Sequence, residues 1–171
     1  FYLKLSLYLN SDFIFNNVLL AENYFYLKDY MNSKIIYSKF NSKNSIYNWH
    51  AKKRLVLIKI KTENDESAIN FLNKSFKKLK NPKIGHYYDL ANFYKDFEKY
   101  NESIKYYTKV LKEVSKEHPL YPEILYRRGM SYERLKLWKK SDDDLIHSLN
   151  LAPEEPYVLN YLAYSWLERN I

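Results

Sequence analysis

The sequence predicts an all-α chain, an α-solenoid of repeated helix pairs, and three observations predict it. One spacing returns four times: Asn17-x2-Leu20-Ala21-x2-Tyr24, Tyr87-x2-Leu90-Ala91-x2-Tyr94, Leu125-x2-Arg128-Gly129-x2-Tyr132 and Leu159-x2-Leu162-Ala163-x2-Trp166. A second spacing follows the first: twelve residues past the small residue stand Ser33, Ser103 and Ser141, and four further on stand Tyr37, Tyr107 and Leu145. Offsets of three and four keep these residues on one face of a helix. The third observation is sparse punctuation: two Gly and five Pro in 171 residues suit helices joined by short turns.

The step from Gly129 to Ala163 is 34 positions and that from Ala91 to Gly129 is 38. The pattern resembles the tetratricopeptide repeat (TPR), with its W-x2-L-G-x2-Y and A-x3-F signature on a 34-residue period. The resemblance covers essentially the whole chain, and the last stretch, from Pro156 to Trp166, is similar to TPR proteins of bacteria, alphaproteobacteria in particular.

Taken in order, residues 1–13 read as the end of a preceding repeat, with Leu3, Ser6 and Ser11 on its second helix and closing turn. Residues 14–47 form a regular repeat: Leu20, Ala21 and Tyr24 on its first helix, Ser33, Tyr37 and Phe40 on its second. Residues 48–83 depart most. Leu55 takes the small slot and Ile58 the aromatic one, and Ala68, Leu72 and Ser75 fit after one inserted residue, with Asn64 or Asp65 as N-cap. Residues 84–121 return to the pattern, with Asn101-Glu102 expected to cap a long second helix that runs to Val114. Residues 122–155 are the clearest copy: Pro122 suits a first helical turn, and Asp142, Asp143 and Asp144 suit the start of a second helix. Tyr30, Tyr100 and Trp138 each stand between two helices, where an aromatic can seal the hairpin. Residues 156–171 read as the first helix of a further repeat or a cap. The chain opens at Phe1 inside a running pattern, so it reads as a piece of a longer array, with any targeting segment outside it.

Apolar residues make up 46% of the chain, enough for a continuous core, yet no run approaches the roughly 18 apolar residues of a membrane span. Without Cys there is neither a disulfide framework nor a thiol nucleophile. No serine stands in a G-x-S-x-G elbow, and glycines at 85 and 129 alone cannot form a phosphate-cradling loop. The four His are dispersed; His50 and His86 share a slot in adjacent repeats, but nothing near either has metal-ligand spacing. Neither catalysis, cofactor nor metal is expected. The abundance of Tyr, Lys, Asn, Ile and Phe matches AT-rich coding, which also favours Lys over Arg and weakens a functional reading of the net charge.

The TPR resemblance implies that first helices line a concave groove that takes an extended peptide or a partner helix. By spacing, that groove would receive Phe15, Val18, Glu22 and Phe25, then Trp49, Lys52, Val56 and Lys59. The stronger candidates lie downstream: Tyr88, Asn92 and Lys95; Tyr126, Arg127, Met130 and Arg134; Tyr157, Asn160, Tyr161 and Tyr164. Tyr offers large amphipathic area, Asn can pair with a peptide backbone and Arg can hold a carboxylate. The TPR subclass that clamps the C-terminal carboxylates of heat-shock chaperones is excluded, because Val56 follows Lys52 where Asn is needed and Tyr88 precedes Asn92 where Lys is needed.

The +8 net charge is concentrated in residues 48–83, where ten Lys and Arg face three Asp and Glu. Such a face could meet nucleic acid, an anionic surface or an acidic partner, although Lys74, Lys77 and Lys78 lie opposite Leu72, Phe76 and Leu79 as on a solvated face. The expected function is thus a protein–protein interaction scaffold. Its alternatives are self-association through repeat ends (Leu3, Leu7, Leu159, Leu162, Trp166) and binding of an acidic partner or, less favoured, nucleic acid through the basic repeat.

Overall fold

A computed structural model describes residues 2–10, 13–40 and 45–171, and only the backbone of Ser45. Ser11, assigned above to a closing turn, lies outside the described residues. Among the described residues there are ten α-helices and no strand: α1 (Tyr2–Leu9), α2 (Ile14–Tyr26), α3 (Tyr30–Ser38), α4 (Ser45–Thr62), α5 (Asp65–Lys77), α6 (Ile84–Asp96), α7 (Tyr100–Glu113), α8 (Tyr121–Arg134), α9 (Trp138–Leu151) and α10 (Pro156–Glu168). The chain divides into two compact units, Phe1–Lys80 and Asn81–Ile171.

In the first unit, α2 pairs with α3 and α4 with α5. Ala21 and Ser33 are fully buried, and the Ser33 hydroxyl donates to the Ala21 carbonyl at 2.9 Å. A small residue on each helix lets the backbones approach closely enough for that bond. Ala21, Tyr37, Ala51, Leu55 and Ile58 form the core, with Phe25, Tyr30, Ile36, Phe40 and Phe71 packed around it. The choice between Asn64 and Asp65 as cap of α5 falls to Asn64, whose side chain accepts the Ser67 N–H at 2.8 Å. Two positions assigned to the groove are instead internal: Trp49 is 5% exposed, edge-on to Phe76, and Val56 is fully buried.

In the second unit, α6 pairs with α7, α8 packs on both α7 and α9, and α10 covers α9. The Ser141 hydroxyl repeats the Ser33 bond, donating to the Gly129 carbonyl at 3.0 Å. Gly129 is required by proximity rather than by φ, since a Cβ there would sit 3.0 Å from Leu145 Cγ. Ser103 departs, sharing a hydrogen bond with Ser131 of α8 at 3.2 Å. Arg128 forks onto Asp144 with two 2.7 Å bonds and reaches Thr108 at 3.0 Å, tying α7, α8 and α9 together. Asp142 receives Arg169 and the Trp166 indole N–H. Asp142 and Asp144 therefore serve as ion-pair partners one turn into α9, whose first turn has no acidic residue. Asn101-Glu102 does not cap α7: that helix begins at Tyr100 and Lys99 holds the cap position without a side-chain bond.

Four first helices end in the same way. Lys28, Glu98, Lys136 and Asn170 take φ values of 60°, 59°, 57° and 58°. The next residue's N–H then closes onto the carbonyl of Tyr24, Tyr94, Tyr132 or Trp166, at 2.9, 2.8, 3.0 and 3.0 Å. This is the six-to-one bond of a Schellman motif, built here without glycine. The aromatic slot of the repeat is thus also the position whose carbonyl closes the turn.

Candidate interaction face

The eleven downstream candidates all lie in the second unit, on α6, α8 and α10. The structure links most of them to one another. Tyr88 of α6 donates to Glu123 Oε1 of α8 at 3.0 Å, and Arg127 donates to the same oxygen at 2.7 Å. Asn92 Oδ1 accepts the Tyr107 hydroxyl of α7 at 2.5 Å and lies 3.5 Å from an Arg127 guanidinium nitrogen. Further along, Lys95, Met130 and Arg134 line a small cleft of about 130 Å³ with Tyr100. Lys95 pairs with Asp96 at 2.7 Å, and Arg134 lies 3.6 Å from Glu133.

Between α8 and α10 the rings of Tyr126 and Tyr157 meet edge to face at 5.0 Å, and those of Tyr126 and Tyr161 at 5.8 Å. The Tyr161 hydroxyl donates to Glu133 Oε2 at 2.9 Å. Tyr157, Asn160 and Tyr164 remain exposed. Burial raises the Tyr88, Tyr126 and Tyr157 hydroxyls above the ordinary phenol range; burial and then the bond to Glu133 do so at Tyr161, and the bond to Glu168 at Tyr164. These phenols therefore stay protonated and able to donate through neutral and mildly alkaline pH.

Three participants were not among the candidates for this face. Glu123 pairs with Arg127 and Glu133 lies beside Arg134, each also accepting a tyrosine hydroxyl, and Tyr107 reaches through from the second helix of its pair. Tyr107 already occupied a repeat position, and Tyr37 at the equivalent place donates to Glu22 in the first unit. That recurrence is the signal that could have found the pair. The two glutamates carry no such signal, since their roles depend on which neighbour lies across the helix–helix seam.

In the first unit, Glu22 is the shared partner. His50 Nε2 stands 2.8 Å and Arg54 Nε 2.6 Å from its Oε1, with the Tyr37 hydroxyl on the same oxygen. His86 has a different task, its Nδ1 accepting the Lys83 N–H at 2.7 Å at the start of α6. The helix ends also differ from expectation. Leu162 is buried against α9 and Trp166 is tied to Asp142, whereas Leu159 is exposed; in α1 it is Tyr2, Tyr8 and Leu9 that stand out, each more than three-quarters exposed.

Paired antiparallel helices, small residues at their crossing and identical Schellman turns define a TPR-like helical-repeat fold. Solved structures bear this out. MamA from MSR-1 superposes with a TM-score of 0.64 at 16% identity, over 92% of this chain and 87% of its own. MamA from AMB-1 gives 0.61 at 16% identity, over 88% and 85%. YrrB, described as a TPR protein with an unusual peptide-binding site, gives 0.64 at 13% identity, over 95% and 80%. No family model and no curated protein matches the sequence. No helix among the described residues is long and apolar enough to cross a membrane.

Proposed function

We propose that the chain is a protein–protein interaction scaffold and that the face carried by α6, α8 and α10 receives an extended peptide or a partner helix. The observation that carries this reading is the edge-to-face cluster of Tyr126, Tyr157 and Tyr161, half open to solvent and bordered by Asn160 and Arg127. Tyrosines held by one another lose little further freedom on binding, so their contact area is gained at small entropic cost. The bonds from Tyr88 and Arg127 to Glu123 keep the neighbouring polar groups oriented before any partner arrives. YrrB's peptide-binding site supports the reading by fold analogy. The reading keeps repeats at 14–47, 48–83, 84–121 and 122–155, and retains a bacterial origin as an expectation.

The test is capture from nuclease-treated extract on immobilised wild-type chain and on Tyr126→Ala/Asn160→Ala, each first shown to be helical and cooperative on heating. A protein retained by the wild type should be lost by the variant, and the purified pair should bind about tenfold or more weakly after the substitution. Equal capture by both chains, or capture that vanishes with nuclease, would overturn the reading.

A further inference from the structure

Residues 1–80 hold 14 Lys and Arg against 6 Asp and Glu, while residues 81–171 hold 14 against 14, so the whole +8 net charge belongs to the first unit. Within that unit a cleft of about 360 Å³ lies between α4 and α5. Trp49, Phe71 and Leu79 give it apolar walls, and Lys52, Lys74 and Lys78 border it. Lys74 and Lys78 stand one helical turn apart on α5 and its C-cap, while Lys52 comes from α4. Ion pairs among the described residues of this unit include Lys34 and Lys59 with Glu63, and His50 and Arg54 with Glu22. Among the described residues, none of the three cleft lysines has an ion pair.

We infer that this cleft is a second binding site, separate from the tyrosine face, and that it takes an acidic protein segment with an apolar side chain beside its carboxylates. The apolar side chain enters between Phe71 and Leu79, and carboxylates to either side meet Lys52 and the Lys74–Lys78 pair. Charge complementarity selects an anionic occupant, since three ammonium groups without carboxylate partners gain most from one. The walls select protein over nucleic acid. A base would need an open aromatic face, but Trp49 is 5% exposed with its ring edge-on to Phe76, and the Lys59 ammonium lies 5.7 Å over the Phe71 ring.

The probe is a short fluorescein-labelled peptide of alternating glutamate and leucine, titrated into the full chain and followed by fluorescence polarisation. Three competitors accompany it: the unlabelled acidic peptide, the same peptide with glutamine for glutamate, and an RNA oligomer of equal charge. Lys74→Glu/Lys78→Glu should weaken the acidic peptide by about tenfold or more, while Lys61→Glu/Lys77→Glu, with the same change in net charge, should weaken it about twofold. All four lysines are exposed, so both variants should keep the wild-type circular dichroism. Equal losses in the two variants would reduce the effect to net charge and overturn the site. Stronger competition by RNA than by unlabelled acidic peptide would overturn the choice of occupant, and competition by the glutamine peptide would overturn the role of the lysines. Tyr126→Ala/Asn160→Ala should leave this binding unchanged, which separates failure here from failure of the tyrosine face.

Discussion

At Glu22 a tyrosine, a histidine and an arginine converge on one carboxylate oxygen. Burial by itself would raise that carboxyl, but the bonds from Tyr37, Arg54 and His50 outweigh it and hold its pKa below the ordinary 4.5. A carboxyl whose folded pKa is depressed contributes stability that is complete above the unfolded value and is lost as pH falls through the folded one. The wild type should therefore be more stable than Glu22→Gln at neutral pH, and the gap should close as pH falls below 4.5. Urea midpoints across that range provide the measurement; a gap that does not change with pH would refute the assignment. A regularity accompanies this site. Where the second helix offers a tyrosine hydroxyl, the facing first-helix residue is a polar acceptor, as in Tyr37 with Glu22 and Tyr107 with Asn92. Where the second helix offers Leu72 or Leu145, the residue at the facing position is Val56 or Met130. The polarity of one slot follows that of the other because an unmatched buried hydroxyl would cost about 1–3 kcal/mol.

For the helices, the left-handed turns at Lys28, Glu98 and Lys136 are the features most open to improvement. An L-residue there carries a cost of about 1–2 kcal/mol that glycine avoids, partly offset by glycine's greater freedom when unfolded. Lys136→Gly should stabilise the chain by about 0.5–1 kcal/mol, whereas Lys105→Gly, inside α7, should destabilise it by about 1 kcal/mol. Denaturant midpoints decide between these signs, and destabilisation by both would show that the turn is unstrained. The helix pairs were legible in the sequence because Ala21, Ser33, Gly129 and Ser141 sit where backbones must approach, and a small residue at a fixed offset records that directly. These turns were not, since glycine is the usual mark of such an end and none of them has one. Trp49 and Val56 were misplaced because groove positions were carried over by offset. Offset fixes which side of α4 a residue is on, but burial also depends on what α5 brings against it, and Phe76 covers Trp49. Of the tyrosine face, the tyrosines and arginines were legible from their slots. Glu123 and Glu133 were not, because an acidic residue on a first helix looks like any solvated carboxylate until the helix beside it is known.

Across the molecule, charge is distributed less evenly than structure. The two units are alike in kind, antiparallel helices with small residues at their crossings, yet one carries the entire net charge and the other none. Binding of an acidic probe to the first unit should weaken steeply as salt rises from low to physiological ionic strength, while binding at Tyr126, Tyr157 and Tyr161 should change little. Titrations at two salt concentrations with the acidic peptide and with a captured partner make the comparison; parallel losses would show that both sites work through charge alone. The asymmetry then extends from equilibrium to time. A net field of one sign speeds encounter with oppositely charged partners, whereas interlocked aromatic rings act after contact and slow departure. If both proposed sites act in this way, substitutions in the basic unit should move association rates and substitutions among the tyrosines dissociation rates.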